Sequence, residues 1–159
     1  MNLSESDISE TNRFNESTSY VPLVYESNYN CTNILLIDNS VQDYQTIVDS
    51  VNSNTMAIVY SYLSTKEDLS MVLNNFTTIS RLAFAFSSNS NNYPVRFLDD
   101  KSLFSFENSC VDNNSENLLF LIEIIQKYNI KNIDYLACNT LNYLSTMAEL
   151  LYYFEKHNC

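Results

Sequence analysis

The residue best suited to covalent chemistry is Cys138, which closes the apolar run Ile133-Asp134-Tyr135-Leu136-Ala137 and precedes Asn139 and Thr140. A thiol at a strand tip, just before a helix, is where an α/β cysteine hydrolase holds its nucleophile. To attack at neutral pH it needs a base, usually histidine, that favours the thiolate. The sequence contains one histidine, His157. The pattern after Cys138 predicts a helix from about Leu141 to His157, which sets the two residues roughly 24 Å apart at about 1.5 Å per residue. No Cys–His dyad closes over that distance. A helix N-terminus alone lowers a thiol pKa, so a redox-reactive Cys138 stands beside the plainer reading of a small residue packed at a strand end.

Other side chains carry weaker signals. Asp38 ends the run Ile34-Leu35-Leu36-Ile37, where a carboxylate either holds a cation at a sheet edge or accepts from loop amides. Ser87 has a hydroxyl and no base beside it. Asp99-Asp100 reads as a solvated turn. His157, near a helix C-terminus, is favoured there by the helix dipole and needs no further role.

These residues sit in a chain of 159 amino acids, 45% of them hydrophobic, enough for one domain with a real core. Its net charge of −11 and its eight scattered Lys and Arg residues argue against nucleic acid and anionic membranes as partners, since both need basic clusters. There is no glycine. A phosphate-cradling loop or dinucleotide fingerprint needs several, so nucleotide chemistry by those routes is excluded. Cys31, Cys110, Cys138 and Cys159 form no CxxC pair, and with one histidine a zinc site would need an unusual ligand set. No cofactor or metal is expected. Without an apolar leader or a membrane-length apolar stretch, the expectation is an intracellular, cytoplasmic protein with reduced cysteines.

The elements that position the candidate residues are legible in the hydrophobic pattern. Residues 1–31 are rich in Ser, Asn and Glu and read as a flexible acidic tail, with one extended segment at Tyr20-Val21-Pro22-Leu23-Val24-Tyr25 that is either a docking segment or a mere linker. From residue 32 to 159 strand and helix alternate. Ile34–Ile37, Met56–Tyr60, Leu82–Phe86 and Ile133–Ala137 are continuous apolar runs, typical of strands buried on both faces. Between them Asn39 or Ser40 caps a helix carrying Val41, Tyr44, Ile47, Val48 and Val51 on one face. Ser64-Thr65-Lys66-Glu67 reads as a capping box, and Ser115 opens the most apolar helix. Tyr93 to Leu98 suggests a short hairpin strand. The pattern implies a three-layer αβα sandwich with a mostly parallel sheet of about four strands plus a small hairpin. Ligands of such sheets bind beyond the carboxyl ends of the strands, here Asp38-Asn39-Ser40, Tyr60-Ser61, Ser87-Ser88-Asn89 and Cys138-Asn139-Thr140.

Two families share parts of this pattern. Ile34-Leu35-Leu36-Ile37-Asp38-Asn39-Ser40 resembles the opening strand of a receiver domain, but the third strand ends in Phe86-Ser87-Ser88-Asn89, without the phosphoacceptor acid. The stretch Ile37-Asp38-Asn39-Ser40-Val41-Gln42-Asp43-Tyr44-Gln45-Thr46, with Ala137-Cys138-Asn139, resembles an uncharacterised caspase-like family found at the N-termini of large bacterial surface proteins. That resemblance covers about residues 33 to 154. It implies a fold like that of caspases, gingipains and separases, with a dyad of a His in Ser-His-Gly after the third strand and a Cys in Gly-Cys-Asn after the fourth. Carried over, the nucleophile position is Cys138, Asn139 follows it as in the family, and the base position is Ser87. The family's glycines fall on Ala137 and Ser88, and the later pocket-building strands have no counterpart before Cys159. Asp38, Ser88, Asn89 and Asn139 remain as edge positions for binding.

A serine does not accept a proton usefully at neutral pH. The expectation is therefore a catalytically inactive caspase-like pseudo-enzyme serving as a protein-interaction or structural module. Its partner would be another protein or a second copy, contacted in part through Leu150-Leu151-Tyr152-Tyr153-Phe154. The alternative is a cysteine peptidase or thiol-reactive enzyme with Cys138 as nucleophile and a base supplied by a partner.

Overall fold

The computed structural model of the chain describes residues 22–87, 95–104 and 115–138. In chain order the elements are β1 (Leu23–Tyr25), β2 (Asn33–Asp38), α1 (Tyr44–Ser50), β3 (Thr55–Tyr60), α2 (Lys66–Leu73), β4 (Arg81–Ser87), β5 (Val95–Arg96), β6 (Ser102–Phe104), α3 (Glu116–Tyr128) and β7 (Asn132–Cys138). The five-stranded sheet has the order β1-β3-β2-β4-β7, and β5 and β6 form a separate antiparallel hairpin. Strands β3, β2, β4 and β7 are parallel, and β1 closes the β3 end antiparallel. The fold is thus α/β with a mostly parallel sheet, one strand wider than the sequence suggests.

Parallel strands need crossovers, and the crossovers cover both faces. Ile34, Leu36, Ile58, Leu82, Phe84 and Phe86 face a core built with α2, α3 and the hairpin. Leu35, Ile37, Ala57, Val59 and Ala85 face the other way, against Val41 and the half-buried Tyr44, Ile47 and Val48 of the α1 segment. The alternation explains why the first three runs are continuously apolar. The fourth, expected to be buried on both faces, is an end strand of the sheet among the described residues, with Leu136 exposed. One polar residue inside a run, Asp134, is answered by Arg81 on the adjacent strand at 3.4 Å.

Several details differ from the sequence expectation, each for a local reason. The stretch expected as a tail contributes β1, whose residues Leu23 to Tyr25 pair with Tyr60 to Ile58, and Cys31 is buried in the core. Helix α1 starts at Tyr44, after Asn39 and Ser40, because the Asp38 carboxylate takes the Ser40 amide and the Asp38 carbonyl takes that of Val41. Those bonds hold the chain in turns until Asp43, which adopts a left-handed conformation. The capping box lies one residue later than expected. The Thr65 hydroxyl accepts from the Asp68 amide and the Asp68 carboxylate accepts from the Thr65 amide. Ser64 is unavailable for capping because its buried hydroxyl donates to the Pro22 carbonyl and accepts from the Ser61 amide. Ser115 does cap α3, accepting from the Leu118 amide. The helix expected after Cys138 lies outside the described residues. Among the described residues no helix is long and apolar enough to cross a membrane.

Candidate functional site

The chain runs from β2 to β3 on one side of β2 and then to β4 on the other. Such a reversal of strand order opens a crevice at the carboxyl ends, where ligands of α/β sheets bind. Here the β2–β4 pairing closes at Ile37 and Ala85, so Asp38 lies where the strands part. The β4–β7 pairing continues further, to Ser87 beside Cys138. Neighbouring strands lie about 4.8 Å apart. The two positions that the caspase-like resemblance assigns to base and nucleophile are therefore adjacent last residues of adjacent strands. Of the other sequence candidates, Ser88, Asn89 and Asn139 lie outside the described residues, as does His157.

Asp38 is buried, and its Oδ1 accepts from the Ser40 amide at 2.9 Å. The Asn39 amide donates across to the Tyr60 carbonyl at 2.9 Å. The carboxylate thus shapes the loop after β2, one of the two roles open to it from sequence. Among the described residues no cluster of three His, Cys, Asp or Glu side chains is placed to hold a metal ion. Tyr60, the register partner of Asp38, is buried edge-to-face against Phe97, with ring centroids 5.0 Å apart. Burial first, and the nearby Asp38 charge second, push its phenol well above the usual range. Tyr135 stacks on Phe84 at 5.6 Å, and burial likewise raises its phenol, whose oxygen is buried without a hydrogen-bond partner among the described residues.

The segment after Ser87 leads into the hairpin, and a charged clasp holds that hairpin. Leu98 to Lys101 form its turn, closed by the Lys101 amide on the Leu98 carbonyl at 3.1 Å, with φ of 59° at Asp99 and 54° at Asp100. Without glycine in the chain, aspartates occupy this left-handed pair, a role they tolerate better than most residues. The tip docks on the β3–α2 turn through the Asp99 amide on the Ser64 carbonyl (2.8 Å) and the Asp100 amide on the Tyr62 carbonyl (2.6 Å). Lys66 pairs with Asp99 at 2.9 Å, and Glu116 with Lys101 at 2.7 Å and Lys66 at 3.4 Å. Asp99 is thus more than part of a solvated turn. The aspartate pair is visible in the sequence, but its partners come from α2 and α3, distant along the chain.

Comparison of the chain with protein-family models, curated proteins and solved structures finds no match in any of the three.

Proposed function

We propose that this chain is a catalytically inactive, caspase-like pseudo-enzyme that serves as a protein-interaction or structural module. One observation carries the reading: Ser87 and Cys138 are register partners at the ends of neighbouring parallel strands, where a dyad shared between the third and fourth parallel strands has to lie. A serine at the base position leaves Cys138 without a proton acceptor from that strand. The surrounding order of strands, with a hairpin between β4 and α3, agrees with the element order that the resemblance implies. The strongly acidic composition favours a protein partner over nucleic acid, and a buried free thiol at Cys31 suits an intracellular setting.

The test is the alkylation rate of Cys138 against pH, read by peptide mapping, with Cys31 as a slow reference because burial pushes its thiol up. The expected rate keeps rising without a plateau to beyond about pH 8.5, as for an unassisted thiol. Ser87→His is expected to bring in a plateau at lower pH by supplying an imidazole at the register partner of Cys138. A native plateau well below about pH 8 overturns the pseudo-enzyme reading in favour of a cysteine peptidase or thiol-reactive enzyme. An alkylation profile unmoved by Ser87→His removes the dyad correspondence itself.

A further inference from the structure

Seven large hydrophobic side chains are exposed among the described residues, and two of them, Tyr25 and Met71, line one groove at the β1 edge of the sheet. Tyr25 belongs to β1 and Met71 to α2, while Val24, the register partner of Val59, lies toward the other face of the sheet. Two exposed apolar side chains facing one groove differ from singly scattered ones, which need no explanation. Strand β1 is the terminal strand of the sheet, so its outer edge has no strand partner among the described residues. Beside it runs a groove of about 330 Å³ between β1 and α2, lined by Leu23, Tyr25, Asp68, Met71, Val72 and Asn75. A sheet edge flanked by a helix is the setting for strand addition, in which main-chain bonds give affinity and side pockets give specificity.

The geometry points to this β1–α2 groove as a docking site for an extended peptide strand of a protein partner, apolar at alternate residues and flanked by Lys or Arg. The inference rests on the interaction-module reading above and names the surface and the partner's chemistry. Charge selects the occupant. Asp68 lines the groove, Glu67 lies exposed beside it in the first turn of α2, and no Lys or Arg among the described residues lines it. Lys66, the nearest cation in sequence, is committed to Asp99 and Glu116. A second copy would bring the same acidic groove to its own counterpart. Residues 1–21 carry Glu5, Asp7, Glu10 and Glu16 against Arg13, so like charge opposes the chain's own leading segment as well.

The probe is a fluorescein-labelled peptide of alternating Val and Thr with Lys at both ends, titrated with the full chain and followed by polarisation beside the same peptide ended in Glu. Saturable binding of the Lys-ended peptide is expected, at least about tenfold tighter than that of the Glu-ended one. Met71→Arg, at a side chain 66% exposed and so tolerant of change, is expected to abolish or reverse that preference. Absence of saturable binding, equal affinity for both peptides, or indifference to Met71→Arg overturns the proposal. Displacement of the probe by a synthetic peptide of residues 1–21 overturns it in favour of the chain's own segment. Dimerisation with rising concentration, lost in Met71→Arg, overturns it in favour of a second copy. Alkylation of Cys138 does not depend on this groove, so a failure here with an unassisted thiol removes the groove and leaves the pseudo-enzyme reading standing.

Discussion

Lys66 and Asp99 meet at 2.9 Å, joining the first residue of α2 to the tip of the β5–β6 hairpin. The Lys66 amide also points at the same carboxylate oxygen, at 3.3 Å. The pair therefore fixes the hairpin in position as well as in charge, and Phe97 and Leu98 beside it are fully buried.

The clasp gives stability a defined pH dependence. The hydrogen bond from Lys101, then its charge, then Lys66, hold the Glu116 carboxyl below the usual range. A lowered carboxylate pKa contributes stability above its unfolded value of about 4.3, which is lost as pH falls through the folded value. The Asp99 hydrogen bond chiefly raises Lys66. Its contribution is complete below about pH 10.4 and is lost as pH rises through the folded value. Thermal melts of the native chain and Glu116→Gln should separate at neutral pH and converge below about pH 4, with less separation at high salt. A separation that persists at low pH would argue against the pairing.

Phe97 is the hairpin's anchor, edge-to-face with Tyr60 at 5.0 Å and with Phe84 at 6.2 Å. Phe97→Ala should cost about 3–5 kcal/mol in urea unfolding, the usual range for an aromatic removed from a core. Phe97→Leu should cost appreciably less. Equal costs would mean that the site collapses around the smaller side chain.

Asn117 is fully buried in the first turn of α3, and its amide nitrogen lies within hydrogen-bond reach of the carbonyls of Leu98 (3.0 Å), Lys101 (3.2 Å) and Ser102 (3.3 Å). Truncation to Ala leaves those acceptors short of a donor, at a cost of about 1–3 kcal/mol. Asn117→Asp should be worse than Ala, since an ionised carboxylate offers only acceptors to a ring of acceptors. Chemical denaturation of the three proteins orders them directly.

Asn129 ends α3 at φ 53°, ψ 45°, the left-handed cap that glycine most often fills. Asn129→Ala should lose roughly 1 kcal/mol, because a Cβ without a polar side chain gains nothing locally from that conformation. Asn129→Gly should be close to neutral or stabilising. Thermal melts in which both substitutions cost the same would remove the conformational explanation.

The phenols of Tyr60 and Tyr135, both raised by burial, should stay protonated when the exposed tyrosines ionise in an alkaline ultraviolet titration. A phenol raised in the folded state contributes stability below its unfolded value of about 10, and this is lost as pH climbs above it. Ionisation of these two should coincide with unfolding. A titration in which all tyrosines ionise together while the fold persists would contradict their burial.

Much of this architecture is legible from the sequence because buried parallel strands write themselves as unbroken apolar runs. Ile34–Ile37, Met56–Tyr60 and Leu82–Phe86 are such runs, and the structure buries nearly all of them on both faces. β1 is harder to place, since three residues carry no periodicity and their strand character comes from pairing with β3. The start of α1 lies later than its sequence suggests because two good capping residues, Asn39 and Ser40, are claimed by the turn after Asp38. Strand β6 carries no readable pattern of its own and forms where Leu103 joins Phe97 and Leu98 in the core. At the candidate site, sequence indicates that positions 87 and 138 end strands. That they end side by side depends on register, which no local pattern encodes.

The short β1 strand also marks where the sheet should open first. Among the described residues it pairs with β3 alone, across the intervening β2 and α1. Peripheral segments with few partners open at lower free energy than central strands, so the amides of Val24 and Tyr25 should exchange well before those of Leu35 and Ile37 in β2. A ligand seated along β1 engages only the closed population, and its apparent affinity is scaled by that fraction. Occupancy of the groove would then register first as slowed exchange at Val24 and Tyr25, with the centre of the sheet unchanged.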